Sequence, residues 1–198
     1  MSDDPARVKE FFTVRADDWD VRFPDDGPAY EAAVRDLGLR RGGVVLDAGC
    51  GTGRALPALR AAVGPRGLVL GADLTPAMLR AATRAGRHLD GRLLLADVTR
   101  LPLRESSVDA VFAAGLISHL ADAESGFREL ARVVRPGGRL ALFHPVGRAA
   151  LAARHGRQVT PDDERAEPNL RRLLARAGWR LVSYTDEDTR YLAIALRP

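Results

Sequence analysis

The sequence contains one cysteine, Cys50, one lysine, Lys9, among its 30 basic residues, and only 6% aromatic residues. A single cysteine excludes an internal disulfide and a thiolate metal cluster, and no metal site is expected. With lysine nearly absent, arginine carries the positive charge. Those arginines are interleaved with acids, as in PDDERAEPNLRRLLARAGWR, and the net charge is only +4 although the pI is near 9.9. Such a mixed-charge surface lacks the massed basic tract of a nucleic-acid-binding face. No apolar run approaches the roughly 18 residues of a membrane span. The opening MSDDPARVKE is acidic where a secretory leader would be basic and then apolar, so the expected setting is cytoplasmic.

What is present is 198 residues with 46% hydrophobic and 28% charged content, the balance of one globular domain over 1–198. Residues 1–40 read as an N-terminal cap with helices near 6–14 and 28–37, separated by the turn-rich ADDWDVRFPDDGP. From 41 to 146, short apolar runs alternate with helical patterns. Strands are expected at 44–48, 68–73, 93–96, 108–113 and 139–143. Helices are expected after Gly53, after Thr75 and over 124–134. Thr75-Pro76 reads as a capping hydroxyl followed by proline at the first helical position. RPGG at 135–138 reads as a helix stop and turn. Nearly continuous apolar strands between helices imply an α/β fold with a mainly parallel sheet. In 147–198, a helix over 168–177 precedes two strand-like segments joined by DED, a connection short enough only for an antiparallel pair.

The stretch VLDAGCGTGRAL, 45–56, places Gly49, Gly51 and Gly53 directly after the first strand. Glycines there permit a tight turn, or a ligand lying against bare backbone. Asp73 ends the second strand, 20 residues beyond Gly53, and Asp97 follows the third. A carboxylate at such a strand end can accept from both hydroxyls of a ribose. Two ligands fit the outline, a dinucleotide or S-adenosylmethionine. Against the first, Arg54 occupies the place of the third glycine in the dinucleotide pattern.

VLDAGCGTG, GADLTPAML, LADVTRLPL, SVDAVFAAGLISHLAD and ELARVVRPGGRLAL together resemble, in order, the motifs of class I S-adenosylmethionine-dependent methyltransferases. The resemblance implies a Rossmann-like, seven-stranded, mostly parallel sheet with an antiparallel last strand. It implies that Gly49, Gly51 and Gly53 floor the cofactor, with Asp47 near its methionine portion. It also implies Asp73 on the ribose, Leu74 against adenine, Asp97 on the adenine amino group with Val98 beside it, and the Ala114 carbonyl toward the methionine ammonium. FFTVRADDWDVRFPDDGPAY is similar to the lid of small-molecule members, with Arg15 toward the cofactor carboxylate and Trp19, Phe23 and Tyr30 toward the acceptor.

His119 and His144 follow the fourth and fifth strands and are the candidate catalytic residues, His144 as a base. His88 and His155 read as surface residues. The expected activity is methyl transfer to a small-molecule acceptor. The alternatives are a protein or RNA methyltransferase, or a cofactor-binding protein without activity. AGLI stands where an Asp/Asn-Pro-Pro-Tyr segment would mark methylation of a nucleic-acid amino group.

Overall fold

The computed structural model describes residues 4–22 and 26–198. Seven strands form one sheet: β1 (Val44–Ala48), β2 (Leu68–Asp73), β3 (Arg92–Leu95), β4 (Val108–Ala114), β5 (Val134–His144), β6 (Arg180–Glu187) and β7 (Arg190–Leu196). Their order is β3-β2-β1-β4-β5-β7-β6, parallel except where β7 runs antiparallel to both β5 and β6. The sequence-derived α/β architecture and its closing hairpin are therefore present.

Eight α-helices accompany the sheet among the described residues. They are α1 (Pro5–Thr13), α2 (Trp19–Arg22), α3 (Gly27–Leu37), α4 (Leu56–Val63), α5 (Pro76–Arg84), α6 (Ala123–Val133), α7 (Arg148–Arg154) and α8 (Glu167–Arg176). Strand residues alternate between two apolar layers, as a period of two requires. Leu46, Leu70, Val111 and Leu140 face α6 and α8, while Val45, Val69, Phe112 and Ala141 face α3 and α4. Both layers are dry, and the sheet is covered on both sides. No described helix is long and apolar enough to cross a membrane.

Three local readings need correction. RPGG is not a turn between α6 and β5 but a bulge within β5: Val134 pairs with Val108 and Arg139 with Ala110, so four residues oppose the single Asp109. Gly137 takes φ 77° there, and a Cβ on Gly138 would sit 2.6 Å from the Asp109 carbonyl oxygen. Thr75 does not cap α5 with its hydroxyl, which turns back to Asp73. The turn-rich N-terminal stretch contains α2, and the polar stretch after β5 contains α7.

Strand order reverses between β1 and β4. In open α/β sheets, the crevice at the carboxyl ends of such a pair is where ligands bind. Here α1 and α2 lie across that crevice, packing Phe12, Ala16 and Trp19 on Ala77 and Met78 of α5.

Candidate active site

The turn from β1 into α4 is built on left-handed backbone. Gly49, Gly51 and Gly53 have φ of 70°, 53° and 79°, a region that costs other residues roughly 1–2 kcal/mol. The Gly49 and Cys50 amides both donate to the Ala72 carbonyl, at 2.9 and 3.0 Å, and so lock the loop to β2. A Cβ on Gly51 would meet nothing within 4 Å, because it would stand in the cavity. Gly53 is different. Leu56 and Arg87 fill the space around it, and it does not line the cavity, so its glycine serves the turn and not the floor.

That cavity holds about 1340 Å³. Pockets for one small ligand are commonly about 300–1,000 Å³, so the space suits two ligands side by side. It gathers Arg15, Asp47, Gly49, Gly51, Asp73, Leu74, Asp97, Val98, Ala114, His119 and His144 from separate parts of the chain. Among the expected site residues, Phe23 lies outside the described residues.

Three carboxylates stand at the ends of the first three strands. Asp47 is 2% exposed and has no hydrogen bond or ion pair among the described residues. Burial, with the repulsion of Asp73 added, pushes its carboxyl up to about 8. Asp73 accepts the Gly51 amide on Oδ2 and the Thr75 amide on Oδ1, both at 2.8 Å. Burial still raises it above the usual carboxylate range, against those bonds. With the Thr75 hydroxyl also bound, three of the four lone pairs are used and one remains for a ligand hydroxyl. Asp97 binds the Thr99 amide and hydroxyl with Oδ1 alone, at 2.8 and 2.7 Å. A buried carboxyl without a partner among the described residues, which a cationic ligand would draw into its ionised form, and a left-handed loop with no side chain over it both fit a ligand that brings positive charge and no phosphate. Cys50 sits behind the loop, buried, with its thiol raised by burial and by Asp47 and Asp73, which removes it as a nucleophile.

The covering segment is tied down by contacts that local sequence patterns could not reveal. Asp20 accepts from the Thr52 hydroxyl at 2.7 Å and pairs with Arg87 at 2.7 Å. Arg87 also donates to the Thr52 carbonyl at 2.7 Å. Arg54, whose side chain is 12% exposed, pairs with Asp26 at 3.2 Å and lies over the Tyr30 ring. His119 ends a short 3-10 turn, and its ring meets Phe12 edge-on at 4.9 Å. It belongs to the lid contact rather than to the wall around His144. Arg15 curls back, donating to the Phe11 carbonyl at 2.9 Å and stacking over the Phe11 ring.

His144 closes β5, half-buried, on the cavity's other side. Its Nδ1 lies 2.8 Å from the Val146 carbonyl oxygen. The Val146 amide also lies 3.1 Å from Nδ1 and donates to it in the tautomer protonated at Nε2; in the other tautomer Nδ1 donates to the carbonyl and leaves the Nε2 lone pair free, as a base requires. Burial holds the imidazole below its usual range despite that hydrogen bond, with Arg165 and Arg154 acting in the same direction as burial. The ring is neutral at pH 7. Beyond it, α7 and the segment up to α8 form an outer wall that includes Leu151, Arg154, Val159 and Arg165. His155 is exposed, as expected, at the rim of this mouth. Among the described residues, no group of three His, Cys, Asp or Glu side chains is arranged to hold a metal.

Residues 46–142 match the family model described as a methyltransferase domain. The chain is 41% identical over 114 residues to the ubiquinone/menaquinone biosynthesis C-methyltransferase of Syntrophotalea carbinolica, covering 57% of this chain and 48% of that protein. It is 40% identical over 110 residues to the 27-O-demethylrifamycin SV methyltransferase of Amycolatopsis mediterranei, covering 54% and 40%. It therefore spans less than half the length of these two relatives. A crystal structure of a SAM-dependent methyltransferase from Aquifex aeolicus superposes with a TM-score of 0.70 at 25% identity, over 98% of this chain and 99% of that one.

Proposed function

We propose that this chain, which belongs to the class I S-adenosylmethionine-dependent methyltransferases, transfers the cofactor's methyl group to a small molecule seated between His144 and α7. The observation that carries the reading is Asp47, a buried carboxyl facing an open cavity with no side-chain partner among the described residues. An ammonium group supplies the charge it lacks. Asp73, with one spare lone pair at the end of β2, takes the ribose, and Asp97 with Val98 takes the adenine edge. The Gly51 backbone lies beneath, and Phe12 and Trp19 close over the top.

When bound, the cofactor supplies an electrophilic methyl group on a sulfonium, which leaves as a neutral thioether. The protein's tasks are alignment, exclusion of water and removal of a proton. The strand ends and the lid perform the first two. For the third, the His144 Nε2 accepts the proton of the acceptor's nucleophilic atom as its lone pair forms the new bond to carbon, and the imidazolium then gives that proton to solvent. Val146 fixes the ring through Nδ1.

The relatives' names support a small-molecule acceptor, one being a quinone-biosynthesis enzyme and the other a rifamycin methyltransferase. A cytoplasmic setting belongs to the same reading, and cell fractionation checks it. The direct test is calorimetry with S-adenosylmethionine, S-adenosylhomocysteine and NAD. Binding of the first two and not of the third is expected, and the reverse preference would sink the proposal.

A further inference from the structure

The cavity is electrostatically divided along its length. Its inner end, over the glycine loop, presents Asp47, Asp73 and Asp97. The outer wall lies between β5 and α8, and cations collect there. Arg154 ends α7, Arg157 follows three residues later, and Arg165 precedes α8.

Arg165 is already engaged. It grips Asp163 through Nε and Nη2 at 3.1 Å each, and its carbonyl receives the hydroxyls of Tyr184 and Tyr191. Arg148 bridges Asp163 and Asp186 on the other side. Two carboxylates thus answer two guanidiniums, and the cluster is neutral. The exposed Asp162 takes a hydrogen bond from the Thr160 hydroxyl. Arg154, Arg157 and the carboxylate of Asp162 are the remainder, an excess of one positive charge. Both arginines are exposed at the mouth, and among the described residues neither forms an ion pair. The apolar Val146, Leu151 and Val159 line the same cavity as these arginines and His144.

We infer that the acceptor is an amphipathic oxyanion, its carboxylate or phosphate group held by Arg154 and Arg157 while its apolar body lies along Leu151 and Val146 and its nucleophilic atom reaches His144. The inference rests on the methyltransferase reading of the site. It follows from complementarity at both ends: a cationic cofactor meets the acidic end and an anionic acceptor meets the basic end, so neither ligand is suited to the other's seat. Arginine is the apt residue for this grip, since its planar fork binds either oxyanion in a bidentate manner. The same positive potential reaches the reacting position, where it favours loss of a proton from the acceptor.

The test uses the full chain loaded with S-adenosylhomocysteine. Failure to load would reject the methyltransferase reading itself, before any acceptor probe is added. Calorimetry then compares benzoate with benzamide, 2-naphthoate with 2-naphthamide, hexanoate with hexanamide, and phenyl phosphate with phenol. At least one anion should bind about tenfold tighter than its neutral partner, the scale of a charge-assisted pair. Preference confined to phenyl phosphate identifies a phosphate, and preference for a carboxylate identifies that group. In the double variant R154Q/R157Q the preference should vanish while S-adenosylhomocysteine affinity stays within about twofold, and Arg154→Lys should keep part of it. Equal affinities throughout, no binding by any anion, or a preference that survives the double substitution would overturn the inference.

Discussion

The Thr52 hydroxyl donates to the Asp20 carboxylate at 2.7 Å, joining the glycine loop that floors the cavity to the helix that covers it. Arg87, in the 3-10 turn that follows α5, ties to both residues, and Arg54 repeats the arrangement on Asp26. These contacts hold the covering segment down on the glycine loop.

Asp20→Asn should speed release of S-adenosylhomocysteine by about three- to tenfold, the range for losing one partly exposed charged hydrogen bond. Global stability should change by less than about 1 kcal/mol, since the Asp20 side chain is 37% exposed and asparagine keeps an oxygen that can accept from Thr52. Stopped-flow fluorescence of Trp19 reads the rate and thermal melting reads the fold. An unchanged rate would mean that α2 is a cap and not a gate.

Asp47 gives a prediction of opposite sign for stability and binding. Its carboxyl is raised from 3.8 to about 8 in the folded protein, so the fold holds a proton there that the unfolded chain gives up. The ligand-free protein should lose stability as pH rises from about 4 to about 8. Asp47→Asn should remove that loss and add about 0.5–2 kcal/mol at pH 8. The same change should weaken S-adenosylmethionine binding. In the native protein, binding near pH 7 should release a proton, visible as a calorimetric enthalpy that depends on the buffer. Buffer-independent enthalpy, or a variant destabilised at pH 8, would remove Asp47 from this role.

Much of this site could be read from local patterns because its parts sit at strand ends. An apolar run that stops at Asp47 or Asp73, followed by glycine or a helix start, marks the carboxyl edge of a parallel sheet whatever the rest of the chain does. What escaped lacks any local period. Thr52 and Asp20 are 32 residues apart, and Arg148 and Asp186 are 38 apart, so only the folded chain brings them together. The bulge at Arg135–Gly138 escaped because Pro-Gly-Gly spells a turn equally well inside a strand as before one. Arg148–Arg154 is too short and poorly capped to stand out. Gly53 shows the converse error, for the same glycine freedom serves a turn packed on Leu56.

Gly51 separates the two uses of glycine. Its φ of 53° makes any side chain strained, at roughly 1–2 kcal/mol, yet the space around its missing Cβ is open. Gly51→Val should therefore fold with reduced stability and fail to bind S-adenosylmethionine, because its methyls occupy the ligand's place. Circular dichroism and calorimetry on one sample distinguish the outcomes. Retained affinity in the folded variant would show that the ligand does not pass over this loop.

His144 is the residue on which turnover should depend most. Its Nδ1 is held by the Val146 carbonyl and amide, the tautomer with Nδ1 donating makes Nε2 the basic atom, and burial holds the ring below its usual range, neutral at pH 7. His119, by contrast, packs its ring on Phe12 and answers to the lid. With an acceptor in hand, His144→Ala should lower kcat by about 10²-fold or more, the scale of a lost general base, with S-adenosylmethionine affinity little changed. The sign of the pH dependence follows from the lowered value. Turnover should be level from pH 7 to 8 and fall only below 6.5, as the imidazole takes up its second proton, and His144→Ala should abolish that acid limb. His119→Ala should leave the limb in place and instead raise KM for the cofactor through a looser lid. Full turnover in His144→Ala with an unaltered pH profile would show that no base acts at this position and that alignment alone carries the reaction.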